Sequence, residues 1–537
     1  MKKLPLGIQS FRKIIEGDYV YVDKTPYVYD IINSDSYYFL SRPRRFGKSL
    51  LLDTISEAFF GDKELFNGLY IYDTDYTFAK HPVLRLDMSK ISNKTPEILE
   101  KSLSEELQKR ILSEGFNVAS EIPSGIFNSL IEALYNKYQQ RVVVLIDEYD
   151  KPILDHLTNI ETAEANRQVL RGFYGILKSM DPYLRLTFIT GVSKFTKTSI
   201  FSGLNNLRDI TLSKNYANIC GIALEDLDKY FTEHISHIST LEGFLRNSDL
   251  QSDILAWYDG YSWDGKTRVI NPYSLLNFLR EEKFADYWYA SGTPKFLIDL
   301  IKKDPEIFIN LQGLIMAEYM LDSAEFEALE AEPLLFQTGY LTIKEILPSA
   351  GAADYLLRIP NYEVREAFNL HIVAAFTGKS QVRVKQSKTQ IAKALKCGDL
   401  AELLETLKGL FAAIPYQLHI NREAYYHSIF YAVMNVLGFD VEAEVSSAKG
   451  RVDAVLKLSD KVYVIEFKYI DCEPSITNEV KKELFAKALR EGLRQIEERG
   501  YAKKYLGSGK EIYQVAFAFL GPDDIEMAIE TTIETTR

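Results

Sequence analysis

Cysteine is scarce in this sequence: there are 3 in 537 residues, namely Cys220, Cys397 and Cys472, widely separated and odd in number. This pattern excludes a disulfide-rich secreted scaffold and a zinc knuckle, and it favours a reducing, cytoplasmic location. Long apolar runs are also missing, since none approaches the ~20 residues that a membrane helix needs. The amino-terminal segment starts basic but no apolar stretch follows, so we expect no secretory signal and no membrane association.

The chain also lacks an excess of basic residues. Lys and Arg number 63 against 75 Asp and Glu, which gives a formal net charge of −12. An overall basic nucleic-acid coat is therefore excluded, although a local basic channel is not. Hydrophobic residues at 46% and charged residues at 26% are ordinary for a folded protein and exclude disorder. At roughly 150 residues per domain, the length predicts about three or four domains.

Residues 1–215 alternate short apolar runs with helical patterns. Strands are expected at 37–40, 82–87, 142–146 and 186–190, with helices near 49–60, 95–114 and 124–139. Runs that are apolar at every position are typical of strands buried on both faces. We therefore predict an α/β domain with a parallel sheet that is covered by helices on both sides.

A basic loop joins the first predicted strand to the first long predicted helix. Its sequence, RPRRFGKS at 42–49, approaches the phosphate-binding pattern G-x-x-x-x-G-K-[ST], with Arg42 where that pattern has its first glycine. Lys48 is expected to reach the terminal phosphates and Ser49 to bind Mg²⁺, while backbone N–H groups at the helix start hold phosphate oxygens. The three arginines of the loop add positive charge that suits phosphate. The alternative is a helix with a basic amino terminus. The predicted ATP-binding residues of the loop are Arg44, Arg45, Phe46, Gly47, Lys48 and Ser49.

The strand at 142–146 runs into Asp147 and Glu148, which supply the other half of a P-loop nucleotide site. We expect Asp147 to hold Mg²⁺ through water and Glu148 to polarise the attacking water. Thr190 or Ser193, after the next strand, would sense the γ-phosphate, with bonding to the backbone as the alternative for either. Three weaker candidates lie near other strand ends or turns: Asp87, Asp150 and Arg208.

A second set of charged residues lies near the carboxyl terminus. Asp453, in the segment GRVD, is followed by Glu466 and Lys468 in the segment EFK, at the end of an apolar run. The two segments predict a β-hairpin in which Glu466 and Lys468 share a face and Asp453 reaches them from the neighbouring strand. Two carboxylates suit Mg²⁺, or Mn²⁺, and a lysine beside them suits phosphodiester hydrolysis. A hairpin with an exposed charged face is the alternative.

The helices predicted on either side of this hairpin supply further candidates. The helix at 421–437 carries Glu423, which would complete the metal shell, and His427 on the same face. The helix at 476–499 carries Gln495, which either orients a ligand or lies on the surface.

The middle of the chain is mostly helical. Residues 216–330 predict a helical lid or middle domain. Residues 331–360 predict a helix, a strand, a loop and a second strand, which fits a winged helix or a helical lid with a β-hairpin equally. We expect this segment with a helical linker to occupy 331–415, and 416–537 to form a further α/β domain.

Together these segments resemble bacterial proteins that join an amino-terminal AAA-ATPase-like domain to a carboxyl-terminal PD-(D/E)XK nuclease-superfamily domain. The resemblance covers nearly the whole chain, and a phosphate loop without its first glycine is typical of that family. The segments that carry it are LGIQSF (6–11), YVDKT (21–25), RPRRFGKS (42–49), WYDGY (257–261), NP (271–272), SGTP (291–294), IPNYEV (359–364), GRVD (450–453), EFK (466–468) and Gln495. The family implies ATP binding and hydrolysis, and its superfamily implies metal-dependent DNA cleavage. Roles for Asp23 and Lys24 stay open.

We therefore expect an ATP-hydrolysing protein coupled to metal-dependent phosphodiester hydrolysis of nucleic acid, with DNA favoured over RNA. The alternative is a nucleotide-dependent switch or sensor whose carboxyl-terminal domain only binds nucleic acid or a protein partner. Assembly into a homo-oligomer stays open. Residues 416–537 hold 16 Lys and Arg against 20 Asp and Glu, a net −4. Engagement of nucleic acid is therefore expected to depend on metal, on a local basic patch or on the ATPase part.

Overall fold

The computed structural model of the chain describes residues 1–34, 36–194, 200–201, 204, 206–241, 244, 249–290, 313–322, 331–348, 353–411, 430, 434, 440–447, 450–471, 476–506, 509–520 and 524–532. The described residues form two compact units, one that ends at Glu363 and one that begins at Val364. This boundary falls inside 331–415, where we expected a possible winged helix followed by a helical linker. The predicted helix at 421–437, with Glu423 and His427, lies outside the described residues apart from two positions.

The elements of the first unit follow the predicted alternation of strand and helix. Its described helices are α1 Phe11–Glu16, α2 Thr25–Asn33, α3 Lys48–Phe60, α4 Pro96–Glu114, α5 Pro123–Tyr138, α6 Lys151–Leu154, α7 Ile160–Gly175, α8 Leu224–Ser239, α9 Leu250–Tyr258, α10 Pro272–Glu281, α11 Tyr287–Ala290, α12 Glu318–Asp322 and α13 Ala331–Thr338. Its described strands are β1 Tyr37–Ser41, β2 Val83–Asp87, β3 Val142–Asp147, β4 Leu184–Gly191, β5 Arg208–Asp209, β6 Ile315–Ala317, β7 Thr342–Leu347 and β8 Asp354–Arg358.

Strands β1 to β5 form one parallel sheet in the order β2-β3-β4-β1-β5. All of β3 is buried, as expected of a β-branched apolar run in a sheet that is covered on both faces. The predicted parallel α/β domain is therefore confirmed. Because β3, β4 and β1 are neighbours, their carboxyl ends bring Asp147, Thr190 and the loop after Ser41 to one edge of the sheet.

Two further groups of elements complete the first unit. Helices α8, α9 and α10 bury a shared apolar cluster that includes Phe231, Ile254 and Phe278. Strands β6, β8 and β7 form an antiparallel sheet in that order. The predicted helix and two strands are confirmed as α13, β7 and β8, whereas 349–352 of the predicted loop lie outside the described residues. Strand β6 is one that the sequence analysis did not predict.

The second unit contains a mixed sheet with helices. Its described helices are α14 Tyr362–Thr377, which crosses the unit boundary, α15 Gln381–Cys397, α16 Leu400–Phe411 and α17 Asn478–Arg499. Its described strands are β9 Asp440–Ser447, β10 Gly450–Lys457, β11 Lys461–Ile470, β12 Glu511–Leu520 and β13 Asp524–Thr532. The strand order is β13-β12-β11-β10-β9, with β11 and β12 parallel and the other pairs antiparallel. The predicted hairpin, β10 with β11, and the helix after it are confirmed.

Two observations concern the described ranges as a whole. No helix in them combines the length and the apolar character that crossing a bilayer requires. Cys220 and Cys397, the cysteines that they include, are both free; Cys220 is buried and Cys397 is exposed.

Candidate functional site

The phosphate loop runs from the end of β1 to the start of α3. Gly47 caps α3 with φ 96°, a left-handed conformation in which an L side chain is strained. Lys48 is only 6% exposed, and its Nζ donates hydrogen bonds to the carbonyl oxygens of Arg42 at 2.8 Å and Pro43 at 2.9 Å. Burial lowers the pKa of Lys48, and nearby carboxylates oppose this shift. A buried ammonium group therefore lies across the loop.

Arg42, at the position of the missing glycine, points away from the loop. Its guanidinium is buried and donates to the carbonyl oxygens of Ser41 and Thr211, both at 2.9 Å, and of Tyr216 at 3.2 Å. It also stacks on Trp263, 4.0 Å from the ring centroid. Burial lowers the pKa of Arg42 to about 10, so the group stays charged at neutral pH. Because both Nη groups of Arg42 donate to backbone carbonyls inside the fold, the expectation that the charge of this arginine serves phosphate is wrong.

Asp147 and Thr190 meet across the neighbouring strands β3 and β4. The Thr190 Oγ1 hydroxyl donates to Asp147 Oδ1 at 2.7 Å, and the Glu148 N–H donates to the same oxygen at 3.1 Å. Glu148 has φ 52°, in the left-handed region. Burial raises the pKa of Glu148, and the charge of Lys48 opposes this shift. The loop lysine, the two acids and the threonine therefore form one cluster, as the sequence predicted.

Ser193, the other predicted sensor, faces a different carboxylate. Its N–H and its Oγ hydroxyl both donate to Asp150 Oδ2 at 2.6 Å, and the Val192 N–H donates there at 3.0 Å. Burial raises the pKa of Asp150, and these donors oppose the shift. The hydroxyl of Tyr149 donates to the Ser193 carbonyl at 3.0 Å. Asp150 thus links the segment after β3 to the segment after β4, which is a structural role.

A cavity of about 370 Å³ adjoins the phosphate loop. Its lining residues from the predicted site are Arg44, Arg45, Gly47, Lys48, Ser49 and Glu148. Residues 5–9 of the amino-terminal segment and Pro272 with Tyr273, at the start of α10, line it as well. A smaller, mostly apolar pocket of about 100 Å³ shares Gly47 and Leu50 with this cavity. Polar and apolar spaces therefore lie side by side at the loop.

Asp23 and Lys24 have internal partners. Asp23 Oδ1 accepts hydrogen bonds from the N–H of Thr25 at 2.9 Å and from its hydroxyl at 2.7 Å. Lys24 Nζ donates to Asp226 Oδ2 at 2.8 Å, and Lys24 also lines the apolar pocket. Burial lowers the pKa of Lys24, and Asp226 opposes this shift. Asp23 therefore stabilises the start of α2, and the charge of Lys24 is matched beside the pocket.

Asp87 and Arg208 take different positions relative to the cluster of Lys48, Asp147 and Glu148: Asp87 is the register partner of Asp147, whereas Arg208 lies on β5. Arg208 is exposed on the edge strand β5, and its guanidinium lies over the ring of Tyr38, 5.8 Å from the centroid. Asp87 ends β2, and its Oδ1 accepts a hydrogen bond from the Ser89 N–H at 3.0 Å. Neither residue lines the cavity at the loop.

The second candidate site is built on β10, β11 and α17. Asp453 comes directly before Ala454 and Glu466 directly after Ile465, which are paired in the antiparallel register of β10 and β11. The Phe467 N–H donates to Asp453 Oδ2 at 2.8 Å. Lys468 Nζ donates to Glu466 Oε1 at 3.3 Å and to Gln495 Oε1 at 2.9 Å. The four predicted residues are therefore brought together, and Gln495 proves to hold the lysine.

Burial and repulsion make Glu466 an unusual carboxylate. The residue is 1% exposed, and its Oε2 has no hydrogen-bond partner among the described residues. Burial raises the pKa of Glu466 to about 7, Asp453 adds to the shift and Lys468 opposes it. The alternative of an exposed charged face is wrong at this residue. A divalent cation fits the unpartnered oxygen and the like-charged pair. Within the described ranges, no group of three His, Cys, Asp or Glu residues is placed to hold a metal ion. Glu423, the third predicted ligand, lies outside these ranges.

Two family models match the chain. One, described as a predicted AAA-ATPase, matches residues 5–201, and one of the PD-(D/E)XK nuclease superfamily matches residues 421–527. A relative from Azotobacter chroococcum mcd 1, "Uncharacterized protein in vnfD 5'region", is 36% identical over 524 residues, which are 96% of each chain. The chain belongs to this family of AAA-ATPase-like proteins with a PD-(D/E)XK nuclease-superfamily domain. The resemblance that the sequence analysis inferred is thereby confirmed.

Among solved structures, the Aeropyrum pernix ORC2 protein, in ADPNP and ADP complexes, is similar at a TM-score of 0.25. Its sequence is 11% identical, and the match covers 65% of this chain and 93% of that one. We draw nothing about fold or function from a likeness of this size.

In this AAA-ATPase-like protein, tryptophans around the phosphate loop are the residues that the sequence analysis missed. Trp288 Nε1 donates to the Arg44 carbonyl at 3.0 Å, and Trp263 stacks on Arg42. Phe46 packs edge-on against Trp263 and Tyr261, with ring centroids at 5.5 and 4.8 Å. The rarity of tryptophan, 3 residues against 34 Tyr and 30 Phe, was the signal available in the sequence.

Proposed function

We propose that this protein binds and hydrolyses ATP in an amino-terminal domain and cleaves phosphodiester bonds of nucleic acid, DNA in preference to RNA, in a carboxyl-terminal one. We assign the ATPase to 1–215, a helical lid to 216–330, a linking segment to 331–415 and the nuclease to 416–537. The observation that carries the nuclease is the buried Glu466, with the half-buried Asp453 next to it and Lys468 in contact with it.

The ATP site is supported by the cavity at the phosphate loop. When ATP binds, the Lys48 ammonium group donates to phosphate oxygens in place of the Arg42 and Pro43 carbonyls. Backbone N–H groups of 44–49 bind the other phosphate oxygens. The apolar pocket beside Gly47 takes the base. Mg²⁺ accompanies ATP, and the groups that would hold it are the Ser49 hydroxyl and the Asp147 carboxylate.

Hydrolysis of ATP uses the cluster at the strand ends. Glu148, whose pKa is raised by burial, accepts a proton from the attacking water. Thr190 fixes Asp147 through its 2.7 Å hydrogen bond and senses whether the terminal phosphate is present. The left-handed backbone at Glu148 aims its side chain into the cavity that it lines.

The nuclease site is supported by its donor set. A divalent cation, Mg²⁺ or Mn²⁺, bound there offsets phosphodiester charge and acidifies a water. Asp453 and Glu466 would hold it, and we propose Glu423 as a third ligand. Lys468, fixed by Gln495 at 2.9 Å, orients that water, and the proton of the acidified water passes to solvent. We further propose that the nucleotide state of the ATPase controls this site.

A cleavage panel tests the proposal. Single- and double-stranded DNA and RNA are incubated with the full chain and Mg²⁺ or Mn²⁺, each without nucleotide, with ATP or with a non-hydrolysable analogue. We expect metal-dependent cleavage of at least one DNA substrate and a rate that changes with nucleotide. Demonstrated ATP hydrolysis without cleavage of any substrate contradicts the nuclease half and favours a nucleotide-dependent switch or sensor.

A further inference from the structure

Basic residues are concentrated after α17, in a domain that is otherwise acidic. Residues 499–510, RGYAKKYLGSGK, contain four basic residues and no acidic one. Arg499, Lys503 and Lys504 are exposed, and none of the three forms an ion pair with another residue that the structure describes. The acidity of 416–537, a net −4, therefore does not extend to this segment.

This segment lies on the face of the sheet that carries the carboxylates. Tyr501 and Ala502 pack against Val455 and Val464 in one apolar cluster. Side chains two residues apart on a strand share a face. Val455 therefore shares a face with Asp453, and Val464 shares one with Glu466.

Arg499 connects the basic segment to the candidate nuclease site. It follows Gln495 by four residues on α17, so the two side chains occupy one stripe of the helix. Its guanidinium interacts electrostatically with Glu466 and Asp453, and its Nη1 donates to the Tyr501 hydroxyl at 3.0 Å. The Arg499 side chain is thus held by Tyr501 and coupled electrostatically to the two carboxylates.

Lys457 continues the same surface along β10. It lies four residues after Asp453, on the same face and about 13 Å away at ~3.3 Å per residue. Two cations lie over the ring of Tyr505, with Lys457 Nζ 5.8 Å and Lys504 Nζ 5.7 Å from its centroid. Cations next to an aromatic ring are typical of surfaces that hold a nucleic-acid strand.

We propose that Arg499, Lys503, Lys504 and Lys457, with Tyr505, form a basic strip that binds the phosphate backbone of the nucleic acid next to the scissile bond. This inference rests on the proposed nuclease and locates its substrate. When exposed cations bind phosphates, counterions are released from the nucleic acid, so binding is salt-dependent. The apolar side chains below the strip are used inside the fold, which leaves them unable to insert into a lipid surface.

Binding of a labelled DNA duplex to the full chain, measured by anisotropy in EDTA over a salt series, tests the strip without cleavage. The variant R499Q/K503Q/K504Q is compared with K101Q/K109Q/K137Q, which changes the net charge equally but removes lysines that already face glutamates. We expect the first variant to weaken binding at low salt more than tenfold and to lower the slope of log Kd against log[salt] by about 2.7, at ~0.9 per phosphate contact. The control variant should retain the wild-type slope.

The outcomes separate this inference from the nuclease proposal. An unchanged Kd and slope in R499Q/K503Q/K504Q overturns the strip, even when the wild type cleaves DNA. Lost binding in that variant supports the strip, even when the wild type cleaves nothing and the nuclease proposal fails. Loss of binding to phosphatidylserine vesicles with unchanged DNA binding overturns it in favour of a lipid surface. ATP hydrolysis by each variant verifies that the chain is folded.

Discussion

The hydroxyl of Thr190 donates a 2.7 Å hydrogen bond to Asp147 across the two central strands of the parallel sheet. We predict that Thr190→Val lowers the kcat of ATP hydrolysis about tenfold or more and leaves nucleotide affinity within a few-fold, because the bond orients a group that acts during the reaction. Thr187→Val on the same strand is the matched control, since the Thr187 hydroxyl is buried and has no hydrogen-bond partner among the residues that the structure describes. Equal ATPase losses in the two variants would contradict this prediction.

Placing glycine at position 42, as in the usual phosphate-loop pattern, should lower the stability of the protein. Arg42→Gly removes the stack on Trp263 and leaves the buried carbonyls of Thr211 and Tyr216 without their donor. We expect the free energy of unfolding to fall by roughly 3 kcal/mol or more, as measured by denaturant titration. Arg44→Ala, on the cavity wall, should instead weaken nucleotide binding without a change in stability. A fully stable Arg42→Gly protein would show that the buried guanidinium is dispensable.

Trp288 should support the phosphate loop through its indole N–H. Trp288→Phe keeps an aromatic ring but removes the donor to the Arg44 carbonyl, so the loop is held less firmly. We expect nucleotide Kd to rise about fivefold, which corresponds to one hydrogen bond of ~1 kcal/mol. Trp257→Phe is the control, because Trp257 stacks on Phe284 and does not line the cavity. Identical nucleotide affinities in wild type, Trp288→Phe and Trp257→Phe would show that the indole N–H does not stabilise the loop for nucleotide binding.

Glu363 should make the first unit less stable as the pH rises. The side chain is 0% exposed, and burial raises its pKa from 4.5 to about 8. Between these values the folded state binds more protons than the unfolded state, so the free energy of unfolding falls with increasing pH. Thermal unfolding between pH 5 and pH 8.5 should show this fall in the wild type.

Two variants isolate the contribution of Glu363. Glu363→Gln keeps a neutral group next to Ser274 and the Trp288 N–H, so the pH dependence should be smaller. Glu366→Gln, one turn further along α14 and paired with Lys388, should keep the wild-type profile. The same slope in Glu363→Gln and wild type would mean that other groups cause the fall.

The sequence predicted those features that depend on neighbouring residues. The apolar run of β3 required a strand buried on both faces, and its position before Asp147 and Glu148 set one edge of the cluster. Similarly, the alternation along β11 placed Glu466 and Lys468 on one face, where the structure has them in contact at 3.3 Å. Local periodicity is sufficient for such features because it does not depend on the rest of the fold.

Features that depend on distant partners could not be predicted in this way. The direction of Arg42 is set by the Thr211 carbonyl, 169 residues away, and by Trp263. The choice of Thr190 over Ser193 depends on where the segment after β4 meets Asp150. The burial of Glu466 required knowledge of the helix that covers its strand.

Cleavage of DNA by variants of the two sites tests the central claim most directly. Release of labelled fragments in Mg²⁺ and ATP hydrolysis are measured on the same samples of wild type, Glu466→Gln and Lys48→Met. We predict cleavage by the wild type, a loss of at least about a hundredfold in Glu466→Gln with ATP hydrolysis retained, and loss of ATP hydrolysis in Lys48→Met. Cleavage by Glu466→Gln at the wild-type rate would contradict the account.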